Sequence, residues 1–153
     1  MEMDIGDRMA FAMTDLLVRN DDPLTVAKRW GVSRWVMEVG VKTTLGVSGV
    51  YALICPLTGK LRYVGSSKNI GVRYPKRQGT RRRVHQRDDA EWNTWFDAIY
   101  DAGKHLQIRV LEFVPERADL LKREFFWVCW FKNLGLADLN RSLTPQHFGL
   151  PRE

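Results

Sequence analysis

Residues 49–74 read GVYALICPLTGKLRYVGSSKNIGVRY. Val50, Ala52 and Ile54 alternate with Tyr51, Leu53 and Cys55, the period of a strand whose side chains point to opposite faces. Pro56-Leu57-Thr58-Gly59 is turn chemistry, and Leu61 to Gly65 returns as a second strand. Ser67 or Asn69 can cap a short helix that carries Arg73. Pro75 disfavours helical geometry at Tyr74, so that helix is expected to stop there. The stretch therefore predicts a hairpin running into a helix.

Downstream, DDAEWNTWFDAIYDAG (88–103) has a helical stripe of Trp92, Trp95, Phe96, Ile99 and Tyr100, an acidic first turn and a terminating Gly103. HLQIRVLEFV (105–114) alternates as a third strand. ERADLLKREFFWVCWFKNLG (116–135) predicts a helix with the stripe Leu120, Leu121, Phe125, Val128 and Phe131, ended by Gly135. The order β-β-α-α-β-α predicts an α/β (α+β) fold: a small three-stranded antiparallel sheet flanked by helices.

Upstream the pattern is helical. Residues 5–19 place Ile5, Met9, Ala12, Met13, Leu16 and Leu17 on one stripe, ended by Asn20-Asp21-Asp22-Pro23. In PLTVAKRWGVSRWVMEVGVK (23–42) the logic is helix-turn-helix. Ala27 is small where two helices approach, Gly31 can take the positive φ of a sharp exit, and Ser33 can cap the second helix. Val26, Trp30, Val32, Val36 and Met37 are the expected buried positions. Arg34 and Trp35 fall early in the second helix, where such motifs meet the major groove; an ordinary helical hairpin is the plain alternative. The chain thus divides into a small helical N-terminal domain, 1–45, and a second domain, 46–153.

The formal net charge of +6 is unevenly spread. Residues 1–22 hold six acids and two bases, whereas KRQGTRRRVHQR (76–87) holds six Lys/Arg and no acid. Lys76, Arg77, Arg81, Arg82, Arg83 and Arg87 are the expected contacts to a polyanion, nucleic acid before anionic membrane. The longest apolar run, Phe125 to Phe131, is far too short for a membrane span. An acidic N-terminus is unlike a secretory signal, and Cys55 and Cys129 lack metal-ligand spacing. Free thiols in a cytoplasmic protein are the expectation.

Gly49-Val50-Tyr51, Tyr63-Val64-Gly65, Arg73 eight residues after Gly65, Glu124 within LLKREFFWV and Leu139-Asn140 together resemble the GIY-YIG nuclease family. The resemblance covers roughly residues 48–142 and has Val for Ile in both triplets. It implies a DNA endonuclease with Tyr51 as general base, Tyr63 as its partner, Arg73 on the scissile phosphate, Glu124 on a Mg²⁺ (or Mn²⁺) ion, and Asn140 as a structural or phosphate-contacting amide. His85 lies where some members keep a catalytic histidine, and equally suits a phosphate contact. Gly49 and Gly65 are the structural glycines, expected to let backbone and substrate approach closely. Arg77 stands where many members have a histidine, and Pro75 interrupts the helix that usually continues.

The residue types suit that chemistry by themselves. Hydrolysis of a phosphodiester needs an activated water and stabilisation of a dianionic phosphorane. Arginine is a fixed-charge fork matched to phosphate oxygens, and glutamate is a hard ligand for Mg²⁺. A phenol needs a bound metal, a neighbouring cation or a hydrogen bond to act as base, and Lys60, Arg62 or Tyr63 can supply the cation or hydrogen bond. The expected substrate is double-stranded DNA, read by the N-terminal segment and gripped by the basic run. A homing-type enzyme of a phage or mobile element in a bacterial cytoplasm fits the compact chain. Restriction or repair nucleases of the same family, and a non-catalytic DNA-binding or regulatory protein on this scaffold, are the alternatives. One chain offers one site, so a double-strand break calls for a dimer on DNA or a strand swap. Trp92, Trp95 and Trp127 are expected in the core.

Overall fold

The computed structural model describes residues 4–32, 48–70 and 89–140. Arg34, Trp35, Arg73, Lys76, Arg77, Arg81, Arg82, Arg83, His85 and Arg87 lie outside the described residues. The chain divides into two compact units, residues 1–43 and 44–153.

In the first unit, α1 (Ile5–Leu17) is capped by Asp4, whose Oδ1 accepts from the Gly6 amide at 2.6 Å. In α2 (Pro23–Trp30), Pro23 sits at the N-terminus, where its missing N–H costs nothing. Asp22 Oδ2 accepts from the Thr25 amide at 3.0 Å. Gly31 ends α2 at φ 65°, and the Gly31 and Val32 amides both donate to the Ala27 carbonyl. Phe11 stacks on Trp30 at 4.8 Å between ring centroids.

Of the positions expected to be buried, Val26 is buried, Trp30 and Val32 are half-buried, and Val36 and Met37 lie outside the described residues; the small Ala27 is buried too. The stripe of α1 is turned from its expected setting. Ala10, Ala12, Met13, Thr14 and Asp15 are buried, whereas Met9, Leu16 and Leu17 are only half-buried. Asp15 causes the turn, because α2 offers it the Trp30 indole and the Arg29 guanidinium, each at 2.7 Å.

The second unit is a three-stranded antiparallel sheet in the order β2-β1-β3, with β1 Gly49–Ile54, β2 Leu61–Ser67 and β3 Gln107–Phe113. All six residues of β1 are buried, because helices cover both faces of the central strand. Tyr51, Leu53 and Cys55 join a core with Trp92, Trp95, Phe96 and Ile99 of α3 (Ala90–Asp101). Val50, Ala52 and Ile54 point the other way, towards α4 (Arg117–Asn133), which packs on β1 and β2.

Trp92, Trp95 and Trp127 are all core residues. Two stripe positions differ from expectation: Tyr100 and Leu121 are 46% and 43% exposed. In α4 the run Phe125–Phe131 is apolar on every side, so the sequence there does not mark which face meets the sheet. The buried set is Leu120, Trp127, Val128 and Phe131, with Phe125 half-buried. Cys55 is buried, Cys129 half-buried, and both are free. Among the described residues no helix is long and apolar enough to cross a membrane.

After α4 the chain runs along the outer edge of β2. The Ala137 amide donates to the Leu61 carbonyl at 3.2 Å, and that of Leu139 to Arg62 at 3.0 Å. An edge strand with unpaired backbone groups is thereby covered.

Candidate active site

Tyr51 lies on the central strand directly opposite Gly65 and is 1% exposed. Its ring crosses the neighbouring strand at that glycine. A Cβ on Gly65 would stand 2.6 Å from the Tyr51 hydroxyl and 2.9 Å from Cε1 of Tyr63. Any side chain at 65 would push the phenol away, which is the physical reason for glycine there. Tyr63 is on the same face, edge-on to Trp92 at 4.9 Å. The two phenols are thus held as a pair, fixed from behind by α3.

Gly49 has a different reason. The pairing of β1 with β3 shifts between Val50 and Tyr51, which face Glu112 and Val110 respectively. This bulge brings the Glu112 carbonyl onto Gly49, where a Cβ would overlap it. The glycines were expected to let backbone and substrate approach closely. At 49 the close neighbour is the backbone of β3, and at 65 it is a phenol.

Glu124 comes from α4 and accepts a hydrogen bond from the Ser66 hydroxyl at 2.6 Å. Ser66 pairs with Val50, so its side chain points to the α4 face, opposite that of Tyr51, Tyr63 and Gly65. Phenols and carboxylate therefore meet neighbouring residues of β2 from opposite faces of the sheet. Glu112, on the α4 face of β3, binds Arg123 at 2.8 Å and the Trp127 indole at 3.0 Å, which fixes α4 and with it Glu124.

Asn140 is buried, and its amide is fully engaged with one residue. Its Oδ1 accepts from the Val64 amide and its Nδ2 donates to the Val64 carbonyl, both at 2.8 Å. Of the two expected roles, the structural one is what this geometry performs: the side chain pairs with the edge of β2 between Tyr63 and Gly65. Arg62 is likewise committed away from Tyr51. Its Nε and Nη2 bind both carboxylate oxygens of Asp138 at 2.9 and 2.8 Å, and the guanidinium lies 5.5 Å from the centre of the Trp95 ring.

Ser66 was not singled out by sequence reasoning, although its period-two position shares a face with Val64 and so with α4. Arg62–Asp138 and Asp15–Trp30 left no local signal. Ser67, by contrast, accepts from the Asn69 amide at 3.1 Å, as expected of a cap, and Ile70 is already helical.

Among the described residues no three His, Cys, Asp or Glu side chains group closely enough to hold a metal ion. The donors brought together are the Glu124 carboxylate and the Ser66 hydroxyl. Both are hard oxygens, and a one-carboxylate set suits Mg²⁺, which keeps most of its waters. Comparison with family models, with curated proteins and with solved structures gives no match.

Proposed function

We propose that residues 46–153 form a metal-dependent endonuclease domain that hydrolyses phosphodiester bonds in double-stranded DNA, and that the N-terminal region reads the duplex. The observation carrying this reading is that β2 contacts Tyr51 and Tyr63 on one face, at Gly65, and Glu124 on the other, at the adjacent Ser66. Ser66 and Glu124 are 58 positions apart in the chain. In the motif order described above, the same strand leads straight to the segment carrying Arg73.

In this mechanism Arg73 holds the scissile phosphate and neutralises charge as the phosphorane forms. Tyr51 takes the proton of the attacking water, with Tyr63 fixing its ring position. Glu124 and Ser66 would hold a Mg²⁺ ion, which supplies Lewis acidity to the phosphate oxygens and the leaving group. Asn140 acts indirectly, by holding β2 in place. The proposed role is that of a homing-type enzyme of a mobile element, with restriction and repair roles as the neighbouring readings.

A second reading, a non-catalytic DNA-binding protein, is favoured by one observation: phenols and carboxylate approach β2 from opposite faces. Plasmid nicking in the presence of Mg²⁺ separates the two. Wild type is expected to nick, whereas Arg73→Ala and Glu124→Gln lose nicking by at least about a hundredfold and keep DNA affinity, as expected for groups that act on the transition state. Nicking at wild-type rate by both variants would remove the assignment.

A further inference from the structure

At the turn end of β2 lies an open cleft of about 330 Å³ lined by Thr58, Lys60, Arg62, Leu136 and Asp138, among others. Its shape comes from an irregularity in the hairpin. Tyr63 pairs with Leu53 and Leu61 with Ile54, so Arg62 is an extra residue on β2. Such a bulge re-aims a side chain. Here it carries the Arg62 guanidinium over the Trp95 ring and onto Asp138.

Asp138 occupies one edge of that guanidinium through Nε and Nη2. A guanidinium has five N–H donors, so Nη1 and the remaining Nη2 hydrogen stay available in a fixed plane. Asp138 keeps Arg62 charged, raising its pKa by the hydrogen bond, and is itself held below the usual carboxylate range by it. Lys60 adds a second, exposed cation that no described carboxylate pairs with. The residues lining the cleft thus supply two cations against one carboxylate, an oriented fork, and apolar walls from Leu61 and Leu136, with Glu91 a further carboxylate acting on Arg62.

We propose that this cleft seats a backbone phosphate of the bound nucleic acid, with Lys60 and Arg62 as its contacts and Asp138 as the residue that orients Arg62. The inference rests on the nuclease reading and deepens it. Arg62 stands on β2, the strand that carries Tyr63 and Gly65, and its guanidinium lies over Trp95, on the phenols' side of the sheet. A cation held there gives the bound duplex a second fixed point beside the candidate site. The same chemistry would also take the phosphate of a free nucleotide, and the test separates the two.

The full chain, without divalent metal, is titrated with a short DNA duplex across a range of salt concentrations. Lys60→Ala, on an exposed turn, is expected to make the slope of log affinity against log salt shallower by about 0.9, the value for one lost phosphate contact. Arg62→Ala should do the same, and its melting temperature is recorded to separate contact loss from unfolding. Arg62→Lys should keep the salt slope and lose affinity, because charge remains and the fork does not. Unchanged slopes in both alanine variants overturn the seat. A Lys60-dependent heat on titrating thymidine 5′-monophosphate, with DNA slopes unchanged, also overturns it and assigns the cleft to a free nucleotide. Nicking is assayed in parallel with Mg²⁺. A Lys60-dependent slope without nicking sinks the nuclease reading and leaves the phosphate seat; nicking with unchanged slopes sinks the seat alone.

Discussion

In the N-terminal unit a carboxylate with 5% side-chain exposure joins two helices: Asp15 of α1 receives the Trp30 indole and Arg29 of α2. At the corresponding place in the sheet unit stands an aromatic group, with Trp92 packed against Tyr63, Trp95 and Phe96. Two short helices have little apolar surface to bury, and hydrophobic contact does not by itself choose one crossing geometry. A buried acceptor with two directional donors does choose one. The sheet unit has enough area to stabilise itself by burial, and it uses polar pairs (Asn140 on Val64, Glu124 on Ser66) to fix the edge strand that carries the candidate site.

That contrast predicts unequal responses. Trp92→Ala should be the most damaging, destabilising the sheet unit by about 3–5 kcal/mol in urea titration, the usual cost of emptying a large aromatic site. It should leave hydrogen exchange over residues 5–30 unaltered. Slower exchange or no change in the sheet unit would show that the aromatic cluster is not its main support.

Asn140→Ala should come next, at about 1–3 kcal/mol, because the Val64 N–H and C=O lose their side-chain partners in a buried place. Loss of protection is expected at Val64 and Gly65 first, with nicking reduced in proportion to the loosening of β2. An unchanged exchange rate at Val64 would sink the clamp.

The smallest effect concerns Asp15. Burial alone would raise its pKa, but hydrogen bonds from Trp30 and Arg29 outweigh burial and hold it below the ordinary value of 3.8. A carboxylate with a depressed folded-state pKa contributes stability that is present above its unfolded value and is lost as pH falls through the folded one. Protection over residues 5–30 should therefore fall as pH drops below 3.8. Asp15→Asn should cost about 1 kcal/mol at neutral pH, since an amide oxygen still accepts from Trp30, and should flatten that acid response. A response that survives the substitution would place the titrating group elsewhere.

What the sequence determined by itself was local. Alternation in 49–55 and the turn at 56–59 define the hairpin, and Asp22-Pro23 and Gly31 bound α2, because backbone geometry depends on residues a few positions apart. The three-stranded α+β fold followed from the order of such elements, as did the tryptophan core. Tertiary structure alone decided the rest. The bulge that makes Gly49 necessary belongs to β3, more than sixty residues away in the chain. The face on which Glu124 meets β2 depends on which side of α4 turns inward, and the apolar run that follows it, Phe125–Phe131, marks none. Asp15 became the hinge of α1 and α2 only because Arg29 and Trp30 were brought to it. Directional contacts between distant residues leave no periodic trace along the chain, and at this site they choose the geometry.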